Sequence, residues 1–167
     1  LPPFQAGMRV GLLGGSFDPA HDGHRAISLV ALRSLGLHEV WWLVSPHNPL
    51  KPAAPSADLA RRVRLARELA SHPRIRVTAV EAALGTRYTA DTLRKLAPRL
   101  AGLDVAWLMG ADSFTEFHRW GRWRDILRSV AVGVLARPGS GVAARMSVAA
   151  RAFRVHQVDR GENLRGR

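Results

Sequence analysis

The chain has 167 residues, which suffices for one domain with a sizeable buried core. It contains no cysteine, which excludes disulfides, zinc–thiolate sites and thiol catalysis. The net charge of +12 indicates affinity for anions such as nucleotides, nucleic acid or acidic membranes, although an arginine-rich solvated surface would give the same count. No apolar run approaches the ~20 residues of a membrane-spanning helix, and no export signal opens the sequence, so we expect a cytoplasmic protein without membrane contact.

Short apolar runs alternate along the sequence with segments whose apolar residues recur every three or four positions. The runs predict buried strands and the segments predict amphipathic helices. In the helix that Ser56 is expected to cap, Leu59, Val63, Ala66 and either Leu69 or Ala70 fall on one face. The predicted strands are residues 8–13, 39–45, 75–80, 105–109, 131–135 and 153–158, and the predicted helices are residues 24–35, 56–70, 90–100, 125–129 and 142–151.

This alternation predicts the α/β class. We expect residues 1–167 to form a single doubly wound, Rossmann-like domain, with a parallel five- or six-stranded sheet covered by helices on both faces. In such sheets, ligands bind at the carboxyl ends of the strands, near the point where the strand order reverses. Every segment of chemical interest in this sequence follows a predicted strand, so we expect one site at that edge of the sheet.

The segment after the first strand is the strongest local signal. It reads Gly14-Gly15-Ser16-Phe17-Asp18-Pro19-Ala20-His21-Asp22-Gly23-His24. Paired glycines allow a tight turn that presents backbone N–H groups to phosphate oxygens beside a helix N-terminus. The segment is neither a Walker A loop, because no Gly-Lys-Ser/Thr follows, nor a dinucleotide fingerprint, because the glycine spacing differs. It therefore predicts an anion-binding loop of another kind.

Two histidines stand where this loop enters the predicted helix. His21 and His24 are close enough in sequence to lie on one side and face the same phosphates. The alternatives are a capping or surface role for the pair, or a zinc site, for which further ligands at fitting spacing are missing. The pattern favours nucleotidyl transfer to an anionic phosphate, which needs alignment and charge neutralisation rather than a general base.

These residues also resemble a known family. Gly14 to Pro19 with His21-x-Gly-His24 is similar to the first motif of the nicotinate-nucleotide adenylyltransferase family, in the superfamily with a His-x-Gly-His or Thr-x-Gly-His signature. Four later blocks follow in family order. They are Pro46-His47-Asn48-Pro49-Leu50-Lys51, Arg87-Tyr88-Thr89 with Asp91-Thr92-Leu93, Leu108-Met109-Gly110-Ala111-Asp112-Ser113 with Phe117 and Trp120, and Ala136-Arg137-Pro138-Gly139.

The resemblance implies transfer of AMP from ATP to nicotinate mononucleotide, giving nicotinate adenine dinucleotide and pyrophosphate in NAD biosynthesis. It implies Mg²⁺ carried by the ATP phosphates, with no metal ligand assigned to the protein. The expected partners are the two small substrates and, as an open question, a second copy of the chain; nucleic acid is not expected.

The resemblance also assigns roles to individual residues. The catalytic residues would be His21, His24 and Lys51. The ATP-binding residues would be Gly14, Gly15, Ser16, Phe17, His21, His24, Gly110, Asp112 and Arg137, and those binding nicotinate mononucleotide would be Ser16, Lys51, Tyr88, Thr89 and Trp120. Simpler interpretations remain, namely a solvated Lys51, Thr89 as a helix cap, and an aromatic cluster of Phe114, Phe117, Trp120 and Trp123, which we prefer for Phe114 and Phe117.

The sequence departs from the family near its end. The family closes with Ile-Ser-x-Thr-x-Ile/Leu-Arg at a helix start, whereas residues 159–167 read DRGENLRGR, in which Arg165 could take the role of the arginine. Residues missing from this sequence, an altered reading frame or weakened ATP binding would each explain the difference. Phosphopantetheine adenylyltransferase is a competing function, although that class usually has threonine at the position of His21 and lacks the Tyr88 and Trp120 blocks. A nucleotide-binding or nucleic-acid-binding protein without turnover is another.

Overall fold

The structure is a computed structural model, which describes residues 1–46, 58–135 and 149–150. Within these ranges five strands form one parallel sheet in the order β3-β2-β1-β4-β5, which confirms the predicted sheet. The sixth strand, predicted at 153–158, lies outside the described residues. The strands are β1 (Arg9–Gly15), β2 (Glu39–Val44), β3 (Ile75–Thr78), β4 (Asp104–Gly110) and β5 (Ala131–Leu135).

Helices cover both faces of this sheet. They are α1 (Asp22–Ser34), α2 (Leu59–Ala70), α3 (Val80–Leu84), α4 (Thr89–Leu96), α5 (Ala111–Thr115) and α6 (Trp123–Ser129), with 3-10 turns at Ala97–Leu100 and Phe117–Arg119. Successive strand residues point to opposite faces, so neighbours such as Trp41 and Trp42 enter different cores. Trp41 packs in the core under α4 and α6, whereas Trp42 packs in the core under α1 and α2. No helix of the described ranges is long and apolar enough to span a bilayer.

Two predicted elements have other bounds in the structure. The third strand ends at Thr78, and Val80, predicted as its last residue, begins the buried helix α3 instead, because an apolar run alone does not distinguish a strand from a buried helix start. The predicted helix 90–100 is α-helical only to Leu96; the 3-10 turn that follows contains Pro98, which cannot donate to an α-helical ladder.

The remaining differences concern helix starts. Asp58, not Ser56, occupies the N-cap position of α2, and Ser56 itself lies outside the described residues. Helix α6 begins at Trp123, two residues before the predicted start. Of the predicted helix 142–151, only residues 149–150 are described, and both are helical.

The strand order indicates the edge of the sheet at which a ligand is expected to bind. From β1 the chain proceeds outward through β2 and β3, then returns to the other side of β1 as β4. The order therefore reverses between β1 and β4, and a crevice is expected where their carboxyl ends separate. Gly15 ends β1 and Gly110 ends β4, so two of the sequence blocks meet at this point.

Candidate functional site

The loop between β1 and α1 is fixed by its aromatic residue. Phe17 has a φ of 47°, in the left-handed region that side chains other than glycine rarely adopt. Its ring is 1% exposed and stacks on Trp42 at a centroid distance of 5.0 Å. The ring also lies 4.6 Å from the imidazole of His24. Because the whole residue is buried, Phe17 serves as the anchor of the loop.

The structure brings the two histidines together. The ring centroids of His21 and His24 are 3.9 Å apart, at the first turn of α1. The backbone N–H of His21 donates to Nδ1 of His24 over 3.2 Å, so Nδ1 is an acceptor and the proton of the neutral ring is on Nε2. His24 thus presents an N–H donor beside a helix N-terminus, where backbone dipoles also favour an anion.

Ser28 and Trp42 hold the backbone of His24 in place. Ser28 Oγ donates to the backbone carbonyl of His24 over 2.8 Å, and Trp42 Nε1 donates to Ser28 Oγ over 2.8 Å. Ser28 and Trp42 are both completely buried. Sequence reasoning missed both, because the contact joins a helix to a strand that is distant in sequence.

Gly110 ends β4 next to the carboxyl end of β1, and Asp112 follows it in α5. A side chain at Gly110 would lie 3.4 Å from Ile27 of α1, so the absence of one keeps this approach open. Asp112 is exposed in the first turn of α5. A carboxylate there can accept hydrogen bonds from ribose hydroxyls, as the sequence analysis expects.

The Tyr88–Thr89 and Trp120 blocks lie next to each other. Tyr88, 47% exposed, occupies the N-cap position of α4, so Thr89 is the first helical residue rather than the cap. A Cβ atom on Gly121 would lie 3.0 Å from the ring of Tyr88, which shows how closely the tyrosine covers the residue after Trp120. An exposed ion pair at 3.1 Å between Arg122 and Asp91 of α4 crosses the same junction.

Trp120 stands at the edge of an aromatic cluster. Its ring meets Phe117 edge-on at 5.3 Å and Trp107 edge-on at 6.5 Å. Phe117 is fully buried and Phe114 is partly buried against the same core, which confirms the structural interpretation of these two residues. Trp120 is only partly buried, so part of its indole surface remains available to a planar ligand.

Lys51 and Arg137, the two cations assigned to phosphate binding, lie outside the described residues. Within the described ranges, no group of three His, Asp or Glu side chains could hold a metal ion. A surface cavity of about 580 Å³ lies along the edge strand β3, bordered by Arg67, His72 and Arg76. None of the predicted site residues that the structure describes lines that cavity.

Glu81 is a buried acid close to the Tyr88 turn. It lies on α3, where its side chain is 5% exposed, and burial raises the pKa of its carboxyl group to about 7. The folded protein therefore favours the protonated form between pH 4.5 and 7, where the unfolded chain has already released this proton. Stability contributed by this group is lost as the pH rises through that window.

We therefore expect Glu81→Gln to stabilise the protein in a pH-dependent way. The gain should be about 3 kcal/mol at pH 8 and about 1 kcal/mol at pH 5, because glutamine has no charge to desolvate. Urea denaturation at the two pH values measures the difference. Glu68→Gln, which changes an exposed glutamate on α2, is the control and should show no such gain. An equal effect of Glu81→Gln at both pH values would contradict a raised pKa.

Known proteins match this chain over most of its length. The Cytidylyltransferase-like family matches residues 12–162. A "Probable nicotinate-nucleotide adenylyltransferase" of Cereibacter sphaeroides is 60% identical over 146 residues, which cover 87% of this chain and 77% of the relative. A protein of the same name from Roseobacter denitrificans is 52% identical over 167 residues, covering 99% of this chain and 83% of the relative.

The fold is also similar to that of a solved structure, the Plasmodium falciparum nicotinic acid mononucleotide adenylyltransferase complexed with NaAD. The TM-score is 0.64 at 14% sequence identity, and the match covers 88% of this chain and 83% of that one. At such low identity the likeness supports the Rossmann-like fold alone.

Proposed function

This chain belongs to the nicotinate-nucleotide adenylyltransferase family, and we propose that it transfers the AMP part of ATP to nicotinate mononucleotide. The products would be nicotinate adenine dinucleotide and pyrophosphate, in NAD biosynthesis. The observation that carries the proposal is the His21–His24 pair at the helix N-terminus beside the reversal of strand order. A cytoplasmic location and assembly into a homo-oligomer remain predictions.

In this reaction a phosphate oxygen of nicotinate mononucleotide attacks the α-phosphorus of ATP. A new P–O bond forms, the bond from the α-phosphorus to the bridging oxygen breaks, and pyrophosphate leaves with that oxygen. The nucleophile is already an anion, so no residue has to remove a proton. The work left for the protein is to align the two phosphates and to neutralise the charge that develops on the leaving group.

The residues at the glycine loop suit that work. The N–H at Nε2 of His24 and the imidazole of His21 would donate to phosphate oxygens, together with backbone N–H groups at the start of α1. Lys51 and Arg137 would add positive charge from their loops. We propose that the ATP phosphates carry Mg²⁺, which would neutralise phosphate charge, because this ion usually keeps several waters and binds largely through substrate phosphates.

The residues around Trp120 and the start of α4 would select nicotinate over nicotinamide. Trp120 offers an indole face for the pyridine ring, and the first turn of α4 offers backbone N–H groups to the carboxylate of nicotinate. An amide in place of the carboxylate has no negative charge for those N–H groups. We therefore propose a preference for nicotinate mononucleotide over nicotinamide mononucleotide.

The proposal is tested by pyrophosphate release from ATP and Mg²⁺ with each of three acceptors. We expect fast turnover with nicotinate mononucleotide and roughly 10–100-fold lower kcat/KM with nicotinamide mononucleotide, the effect of losing one or two charge-assisted hydrogen bonds. Faster turnover with phosphopantetheine would instead assign the sister reaction. ATP binding without turnover on any acceptor would favour a protein that only binds nucleotides.

A further inference from the structure

Arg62 is a buried cation that the sequence analysis did not assign. It lies on α2 and is only 2% exposed. Its Nη1 donates to the backbone carbonyls of Ser16 over 2.6 Å and Ser45 over 2.7 Å, and its Nη2 donates to the carbonyl of Pro46 over 3.1 Å. Burying a guanidinium group is costly unless its donors are satisfied, so these contacts are strongly specified.

The three carbonyls belong to two different loops of the site. Ser16 directly follows β1 and belongs to the glycine loop, whereas Ser45 and Pro46 directly follow β2. The chain continues from Pro46 toward Lys51, the cation assigned to the phosphates. A further bond, from the N–H of Ser45 to the carbonyl of Gly15 over 2.9 Å, joins the same two loops. Arg62 therefore connects the starts of the two segments that would contact the same phosphates.

The direction of the Ser16 carbonyl also determines the direction of the N–H group that follows it. In a planar trans peptide the carbonyl and the next N–H point in opposite directions. Because the Ser16 carbonyl points at Arg62, the N–H of Phe17 points away from α2. The bond to Arg62 thus fixes the orientation of the Ser16–Phe17 peptide within the loop.

We propose that Arg62 is a positioning residue for adenylyl transfer, one that sets the glycine loop and the loop after β2 at the spacing that the phosphates require. The expected kinetic effect rests on the proposed function, whereas the contacts of Arg62 with the two loops do not depend on it. Displacement of groups by about 1 Å can cost two orders of magnitude in rate, so a residue that never touches substrate can have a large effect.

The test compares three variants. Arg62→Lys keeps the charge but cannot reach three carbonyls with the fork of a guanidinium group, and Arg62→Met removes all donors. Arg64→Met is the matched control, because Arg64 lies on the same helix with a side chain that is 69% exposed. For Arg62→Lys we expect a folded protein whose kcat/KM for pyrophosphate release is about 10–100-fold lower, with both kcat and the KM for ATP affected.

A second measurement separates positioning from simple loss of stability. Hydrogen exchange of the ligand-free Arg62→Lys protein should accelerate at the amides of residues 14–18, 20, 44 and 45 and stay unchanged at the β4 core. Wild-type kcat/KM in Arg62→Lys, or unchanged exchange at both loops, would overturn the inference. If the wild-type protein transfers no AMP to any acceptor, the proposed function fails, and the exchange measurement still decides the role of Arg62.

Discussion

A His24→Asn protein is expected to remain folded and to lose about two to three orders of magnitude in kcat for pyrophosphate release. The amide oxygen of asparagine can take the place of Nδ1 and accept the N–H of His21, so the first turn of α1 keeps its cap. The donor at Nε2 is lost, and removing a single preorganised donor to developing charge typically costs 10²–10³-fold. Kinetics and thermal unfolding of the same preparation measure the two effects.

Two further histidine variants make the result specific. His24→Ala removes the cap acceptor as well and should lower stability by about 1 kcal/mol more than His24→Asn, with a similar loss of kcat. His72→Ala changes a histidine that accepts the N–H of Arg74 before β3, away from the crevice, and should leave kcat unchanged. Activity within a few-fold of wild type in His24→Asn would remove His24 from catalysis.

The parts of the fold that local pattern determines were predictable from sequence. The last described strand runs over Ala131–Leu135 as predicted, and both faces of the sheet are covered. The error at Val80 arose because an apolar run does not distinguish a strand from the start of a buried helix. Gly85 was the available signal, since its φ of 61° ends α3 in the left-handed conformation that glycine favours.

The site residues also differ in whether local sequence determines their contacts. His21 and His24 are three positions apart, and their proximity follows from the local capping arrangement at the start of α1. Arg62 depends on tertiary contacts with two loops, and its only trace in the sequence is its place on the apolar face that also carries Leu59 and Ala66. A charged residue on a buried helix face was the signal that could have been followed.

Gly14 illustrates a requirement that neither composition nor motif reveals. In the register of the sheet, Leu12 of β1 lies opposite Trp107 of β4, so the indole of Trp107 reaches diagonally over Gly14. A Cβ atom on Gly14 would overlap the far ring of that indole, which is itself 1% exposed. Gly14 lies inside β1 and has no left-handed φ, so the tight turn that the sequence predicts at the paired glycines is wrong, and the glycine is needed for packing.

Gly14→Ala is accordingly expected to destabilise the protein by about 1–3 kcal/mol, the range for overpacking a closed core, and to lower activity by displacing the loop. Gly15→Ala is the stability control, because its Cβ would meet the Phe17 ring at an ordinary 3.4 Å and should cost less than 1 kcal/mol. Urea denaturation measures both.

The cause can be isolated with a double variant, because the clash involves a single partner. Trp107→Phe removes the far ring and also an indole N–H that is buried without a partner among the described residues. In that background Gly14→Ala should cost little, which gives a coupling of about 1 kcal/mol or more between the two positions. Additive effects would show that the cost of alanine at Gly14 does not come from the contact with Trp107.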